Sequence, residues 1–146
     1  MLKKISLISC VIASVGFAGC TTMSNPVTEK NLNKLQNTTW VLTELKGVEI
    51  KSSTPMNLPA IQFDNESVSG SDGCNRFMGG YAVKAKEIKL SRLATTAMAC
   101  LNATDITEKF NQSLHTTTQY DANDKELKFL DAENNVLLKF KPAQAQ

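Results

Sequence analysis

The sequence is poor in the residue types that carry most enzyme chemistry. It has one histidine, one tryptophan and only 21% charged residues, and it contains no C-x-x-C, H-x-x-x-H or G-x-S-x-G pattern. Without close-spaced pairs of ligands, zinc has no ordinary site. Without the glycine-flanked serine there is no hydrolase nucleophile elbow, and no glycine run ends in the G-K-[ST] of a phosphate cradle. A basic stripe is missing too. Lys+Arg number 16 against Asp+Glu 14, and Lys3 and Lys4 supply the whole excess. The rest of the chain is formally neutral, which argues against nucleic acid as a partner, since phosphate binding relies on clustered cations. A chain of 146 residues is long enough for one core and too short for two.

What is present begins with an address. Lys3 and Lys4 precede an apolar stretch from Ile5 to Gly19. That stretch falls short of the roughly 20 residues a helix needs to cross a bilayer, so it reads as a secretory signal. Phe17-Ala18-Gly19-Cys20 resembles a bacterial lipobox, with Phe17 where leucine is usual. The resemblance implies cleavage before Cys20 and diacylglycerol on its thiol, which would hold the protein on a membrane. Residues 20–34 are polar, include Pro26, and read as a flexible tether. The folded part is expected over 35–142, with 143–146 as a short tail.

Of the four cysteines, Cys10 would leave with the signal and Cys20 would be acylated, so Cys74 and Cys100 remain. In an oxidising envelope the pair suggests a disulfide, and closing that loop would stabilise the fold by about 3.5 kcal/mol in the chain-entropy model. Two buried free thiols, or a metal site completed by His115, are the competing readings.

Strand signals dominate the folded region. Thr39 to Leu45 is β-branched and aromatic and closes on Lys46-Gly47. Ala60 to Asp64 alternates apolar with polar and turns through Asn65-Glu66 into Ser67 to Gly70, as a hairpin would. Tyr81 to Val83 pairs with Glu87 to Leu90. Glu126 to Leu130 pairs with Val136 to Phe140 across a turn in which Asn134-Asn135 supplies left-handed residues. Alternation places Leu127 and Phe129 on one face, and Leu138 and Phe140 on one face of the partner. Asp105-Ile106-Thr107-Glu108 has capping-box spacing, and Ile106, Phe110 and Leu114 recur every four residues, which predicts one helix of about three turns. Short antiparallel strands plus one helix define an α+β domain.

The most distinctive stretch runs from Val68 to Tyr81, with Gly70, Gly73, Gly79 and Gly80 inside it. Glycines at that density mark special backbone angles or close approach. The bland reading is a turn that brings Cys74 toward Cys100; an anion cradle is the sharper one. Asn75, Arg76 and Tyr81 are the candidate binding residues, because loops carry function more often than cores do. Trp40, between apolar neighbours, is expected to anchor the core. His115 could serve Ser69, Ser71 or Cys74 as a general base, but a histidine at a helix C-terminus equally satisfies late carbonyls. Asp64, Glu66, Asp121, Asp124, Asp131 and Glu133 lie beside turn residues, where solvated acids are ordinary. No catalytic residue, metal site or cofactor is assigned.

Trp40-Val41-Leu42, Gly73-Cys74-Asn75-Arg76-Phe77, Gly80-Tyr81, Leu93 to Thr96 with Met98-Ala99-Cys100, and Glu108 to Leu114 occur in an order and spacing that resemble the META domain, also called HslJ-like. That resemblance implies an antiparallel β-sheet or open barrel with one packed helix. It brings no catalytic residues. Bacterial members include a heat-shock-associated envelope protein linked to novobiocin tolerance, and many are lipoproteins. The implied role is a non-enzymatic lipoprotein on the periplasmic face of the outer membrane, with an unidentified envelope protein as partner. A secretion-pilot-like carrier of a hydrophobic ligand and a small hydrolase inhibitor are the alternatives. Replacing the anchor cysteine, Cys20→Ala, is expected to release the protein from the membrane fraction and to remove the lipid mass from the mature N-terminus. Unchanged fractionation and mass would exclude the anchor.

Overall fold

The computed structural model describes residues 26–51, 58–100 and 105–143, with side chains described from residue 31 onward. The signal segment, Cys20 and most of the expected tail lie outside the described residues. The elements are α1 (Pro26–Leu35), β1 (Thr39–Leu45), β2 (Val48–Glu49), β3 (Ala60–Phe63), β4 (Ser67–Ser71), β5 (Arg76–Lys84), β6 (Glu87–Leu90), β7 (Ala94–Thr95), α2 (Asp105–Thr116), β8 (Gln119–Ala122), β9 (Leu127–Leu130) and β10 (Val136–Pro142). The three expected hairpins form as β3–β4, β5–β6 and β9–β10.

All strand pairs are antiparallel, and the sheet closes on itself. Its order is β1-β3-β4-β5-β6-β8-β9-β10, and β10 returns to β1 with Trp40 opposite Pro142 and Leu45 opposite Leu138. An open barrel is therefore corrected to a closed one of eight strands, with β2 and β7 as short additions on β1 and β5. Closure requires curvature, and it is supplied where the register slips between Leu42 and Glu44 on β1 and between Val136 and Leu138 on β10. The second slip explains why Leu137 and Leu138 are both buried in a strand that otherwise alternates. Outside the barrel, Lys139 Nζ and Glu44 Oε2 clasp the closing pair at 2.9 Å.

The interior is filled by inward residues of all eight barrel strands. Trp40, Phe63, Tyr120, Phe129 and Phe140 are each at most 1% exposed. Phe129 meets Phe63 and Phe140 edge to face at 6.1 and 5.4 Å between centroids, in the geometry that aromatic quadrupoles favour.

Each end of the barrel is covered by a helix. The predicted α2 stripe is seen in full: Phe110 and Leu114 are buried and Ile106 packs beside them. α1 was not expected, because residues 20–34 read as tether. Its start at Pro26 suits a first helical turn, where no N–H is needed. Leu32 and Leu35, three residues apart, both join the core, and Leu35 is fully buried with its carbonyl accepting Trp40 Nε1–H at 3.0 Å. A polar composition concealed this apolar pair. α1 lies by the β3–β4 and β8–β9 turns, where Gln36 Nε2 reaches the Asp64 carbonyl and Lys34 pairs with Asp124. α2 lies at the opposite end, beside the β4–β5 turn.

Asn134 takes the expected left-handed angle, at φ 66°. Ala85 was not expected to. It sits at φ 56° in the two-residue connection between Lys84 and Glu87, a conformation that costs an L-residue about 1–2 kcal/mol. Ala85→Gly is accordingly expected to raise stability by about 1 kcal/mol in urea denaturation. A loss of stability would show that the turn is not strained.

Candidate functional site

The turn from Asp72 to Asn75, which joins β4 to β5, is organised by one buried carboxylate. Asp72 is 1% exposed. Its Oδ1 accepts the backbone N–H groups of Cys74 at 2.9 Å and Asn75 at 2.6 Å, and its Oδ2 accepts the Asn111 amide of α2 at 2.9 Å. The Asp72 carbonyl also accepts the Thr107 hydroxyl, at 3.1 Å. Burial by itself pushes the carboxyl up. Hydrogen bonds from Asn111 and from the backbone of Asn75 and Cys74 favour the charged form and outweigh it, holding the group below its ordinary 3.8.

Each neighbour in the turn is held as well. Gly73 takes φ 93°, which suits glycine alone among common residues. Gly70 is needed for approach rather than angle, because a Cβ there would lie 2.2 Å from the Ala60 carbonyl oxygen and 2.6 Å from the Phe77 ring. Cys74 is joined to Cys100 with their Cα atoms 5.9 Å apart. Asn75 Oδ1 accepts the Met98 N–H at 2.8 Å, and Thr96 N–H reaches the Arg76 carbonyl at 3.0 Å. The turn is thereby tied to β7, to the segment after it and to α2.

Of the three residues expected to form a binding loop, the structure keeps one outward. Asn75 is engaged with Met98. Tyr81 is half-buried: its hydroxyl donates to the Asp64 carbonyl at 2.6 Å and accepts from Gln36 Nε2 at 2.7 Å, and its ring packs edge-on against Phe63. It braces α1 against the barrel and is not an exposed contact. Arg76 is exposed, and its side chain forms no salt bridge among the described residues. It lines an open groove of about 820 Å³ on the outer face of β3, β4, β5 and β7, together with hydroxyl residues Ser69, Ser71 and Thr95 and with Met78, which is 64% exposed. His115 is exposed near the end of α2 and lines a different groove, between β6 and α2. Among the described residues no three of His, Cys, Asp and Glu gather as metal ligands.

The model of the META domain matches residues 33–144. The chain belongs to the META domain family. Three solved structures share the fold of this META domain. An NMR structure of a protein from Burkholderia xenovorans is 20% identical over 94% of this chain and all of its own, with a TM-score of 0.64. A second NMR structure is 29% identical and covers 75% of this chain and 92% of its own, with a TM-score of 0.59. A crystal structure of a DUF4847 family protein from Bacteroides vulgatus is 12% identical over 78% of this chain and 98% of its own, with a TM-score of 0.56. No curated protein sequence matches the chain at a significant level.

Asp72 is the residue that sequence reasoning passed over. The signal was there: an aspartate two and three residues before N–H groups in a glycine turn is an Asx-turn pattern. Its third donor, Asn111, comes from a helix far along the chain. Asp72→Asn keeps an acceptor for the turn but sets an amide against the Asn111 amide. The expected cost is about 1–3 kcal/mol at neutral pH. A carboxyl lowered by folding contributes stability above its unfolded pKa and loses it as the pH falls through the folded value. The gap between wild type and Asp72→Asn should therefore narrow in urea titrations below about pH 4. A gap that stays constant into acid would exclude the charge as its source.

Proposed function

We propose that this META domain is a binding module of the bacterial cell envelope, not an enzyme, held by lipid on Cys20 at the periplasmic face of the outer membrane. In this reading it recognises another envelope protein through the groove at Arg76, in support of envelope integrity under stress or antibiotic challenge. One observation carries the reading. The polar groups of the β4–β5 turn are engaged in holding the turn itself, while Arg76 and Met78 are left facing outward over a groove. Rigid loops that present an arginine and an exposed apolar residue have the composition of interface hot spots. The chemistry of hydrolysis is poorly served by comparison. Cys74 is in a disulfide, and Ser69 and Ser71 line one groove while His115 lines another. Lipidation and sorting rest on the lipobox-like Phe17-Ala18-Gly19-Cys20 and on Thr21 after it, where no aspartate signals inner-membrane retention.

The test is recovery of the partner by crosslinking from the native membrane, followed by measurement of the purified pair. Arg76→Ala is expected to weaken that complex by about thirtyfold, as loss of a hot-spot side chain does. An unchanged affinity for both Arg76→Ala and Met78→Ala would overturn the assignment of the groove.

A further inference from the structure

The barrel has one weak seam. β6 and β8 are paired at a single position, Glu87 opposite Gln119, with Ile88 N–H on the Thr118 carbonyl and Tyr120 N–H on the Lys86 carbonyl, both at 2.9 Å. Past Ile88, β6 runs beyond the start of β8, and an open groove of about 1110 Å³ lies between β6 and the end of α2. That volume is slightly above the roughly 300–1,000 Å³ typical of small-ligand sites.

The two walls differ in chemistry from the rest of the surface. Val83, Leu90, Leu93 and Leu114 give the groove an apolar floor continuous with the core. Lys84, Lys86 and Lys89 stand around it against the single acid Glu87, and none of the three lysines forms a salt bridge among the described residues. In a domain otherwise balanced in charge, this is a local excess of cations beside apolar surface. The negative end of α2 does not cancel it, because the Thr116 and Thr117 hydroxyls take the Gln112 and Ser113 carbonyls at 3.2 and 2.8 Å. The strained residue Ala85 also lines this groove. Residues held off their preferred angles cluster at ligand sites.

We propose that the β6–β8 seam is a binding site for a single-chain anionic amphiphile, with the acyl chain along the apolar floor and the carboxylate or phosphate against Lys84, Lys86 and Lys89. This goes beyond the partner groove at Arg76, lies on different residues and does not depend on it. The charge of the rim selects the head and the floor takes the tail, so neither a neutral amphiphile nor a short anion has both halves of the site.

The experiment uses the purified chain carrying Cys20→Ala, so that no acyl group of its own competes, titrated below the micelle concentration with palmitate, palmitoyl-lysophosphatidylglycerol and the neutral hexadecanol. Expected are saturable one-to-one binding of one or both anions and amide shifts confined to residues 82–93 and 114–119. Which anion binds tighter distinguishes a fatty acid from a lysophospholipid. The triple change Lys84→Gln, Lys86→Gln, Lys89→Gln, all at exposed positions, should weaken anion binding about tenfold and leave hexadecanol unaffected. Added salt should act in the same direction as the triple change. The proposal is overturned by absence of saturable binding, by shifts elsewhere on the barrel, by equal binding of hexadecanol, or by an extended peptide that adds to the free edge of β6 and excludes the amphiphile.

Discussion

A charge that cannot reach water must be met by donors fixed in place, and the geometry of this domain follows from satisfying Asp72. Three donors converge on its oxygens from two separate parts of the chain: the turn it belongs to, and α2. None is a cation, so the carboxylate holds its charge through hydrogen bonds alone, and each lost donor would leave it more exposed to the cost of burial. The disulfide between Cys74 and Cys100 acts on the same junction by a different route. It restricts the unfolded chain, worth about 3.5 kcal/mol for a loop of this size in the chain-entropy model. Asp72 acts on the folded state. The covalent link brings the segments near, and the carboxylate sets how they meet.

With that end of the barrel fixed, the rest is a division of labour between inside and outside. The interior is a stack of aromatic rings sealed by a helix at each end. Phe110 of α2 reaches Phe77 and Phe140, so the helix that supplies a ligand to Asp72 also completes the apolar stack. Open volume is found on the outside, in one groove over β3–β5 and another at the β6–β8 seam. Exposed side chains on the rims of these grooves, such as Arg76 and Lys89, can change without disturbing the core.

Local order was legible in the sequence wherever one face of an element meets the core. Alternation announced Ile61 and Phe63, Leu127 and Phe129; four-residue spacing announced Phe110 and Leu114; and bracketing by apolar residues announced Trp40. What was hidden depends on partners distant in the chain. Closure rests on β1 meeting β10, and no pattern within either strand records the other. Tyr81 looked like a loop aromatic because the groups that bind its hydroxyl, Gln36 and the Asp64 carbonyl, lie in other elements. α1 was lost because only Leu32 and Leu35 of a polar run touch the core. The seam groove arises where β6 runs past the start of β8, which is a property of the assembled sheet.

The pairing of Trp40 with Pro142 also sets an order of events during biosynthesis. Until Val136 to Pro142 have emerged, β1 has an unpaired edge, and the aromatic stack lacks Phe140. Structures dominated by such long-range pairings form slowly, because the intervening chain must lose its freedom before the contact repays it. The barrel therefore stays open through most of synthesis and shuts only when its final strand has come through.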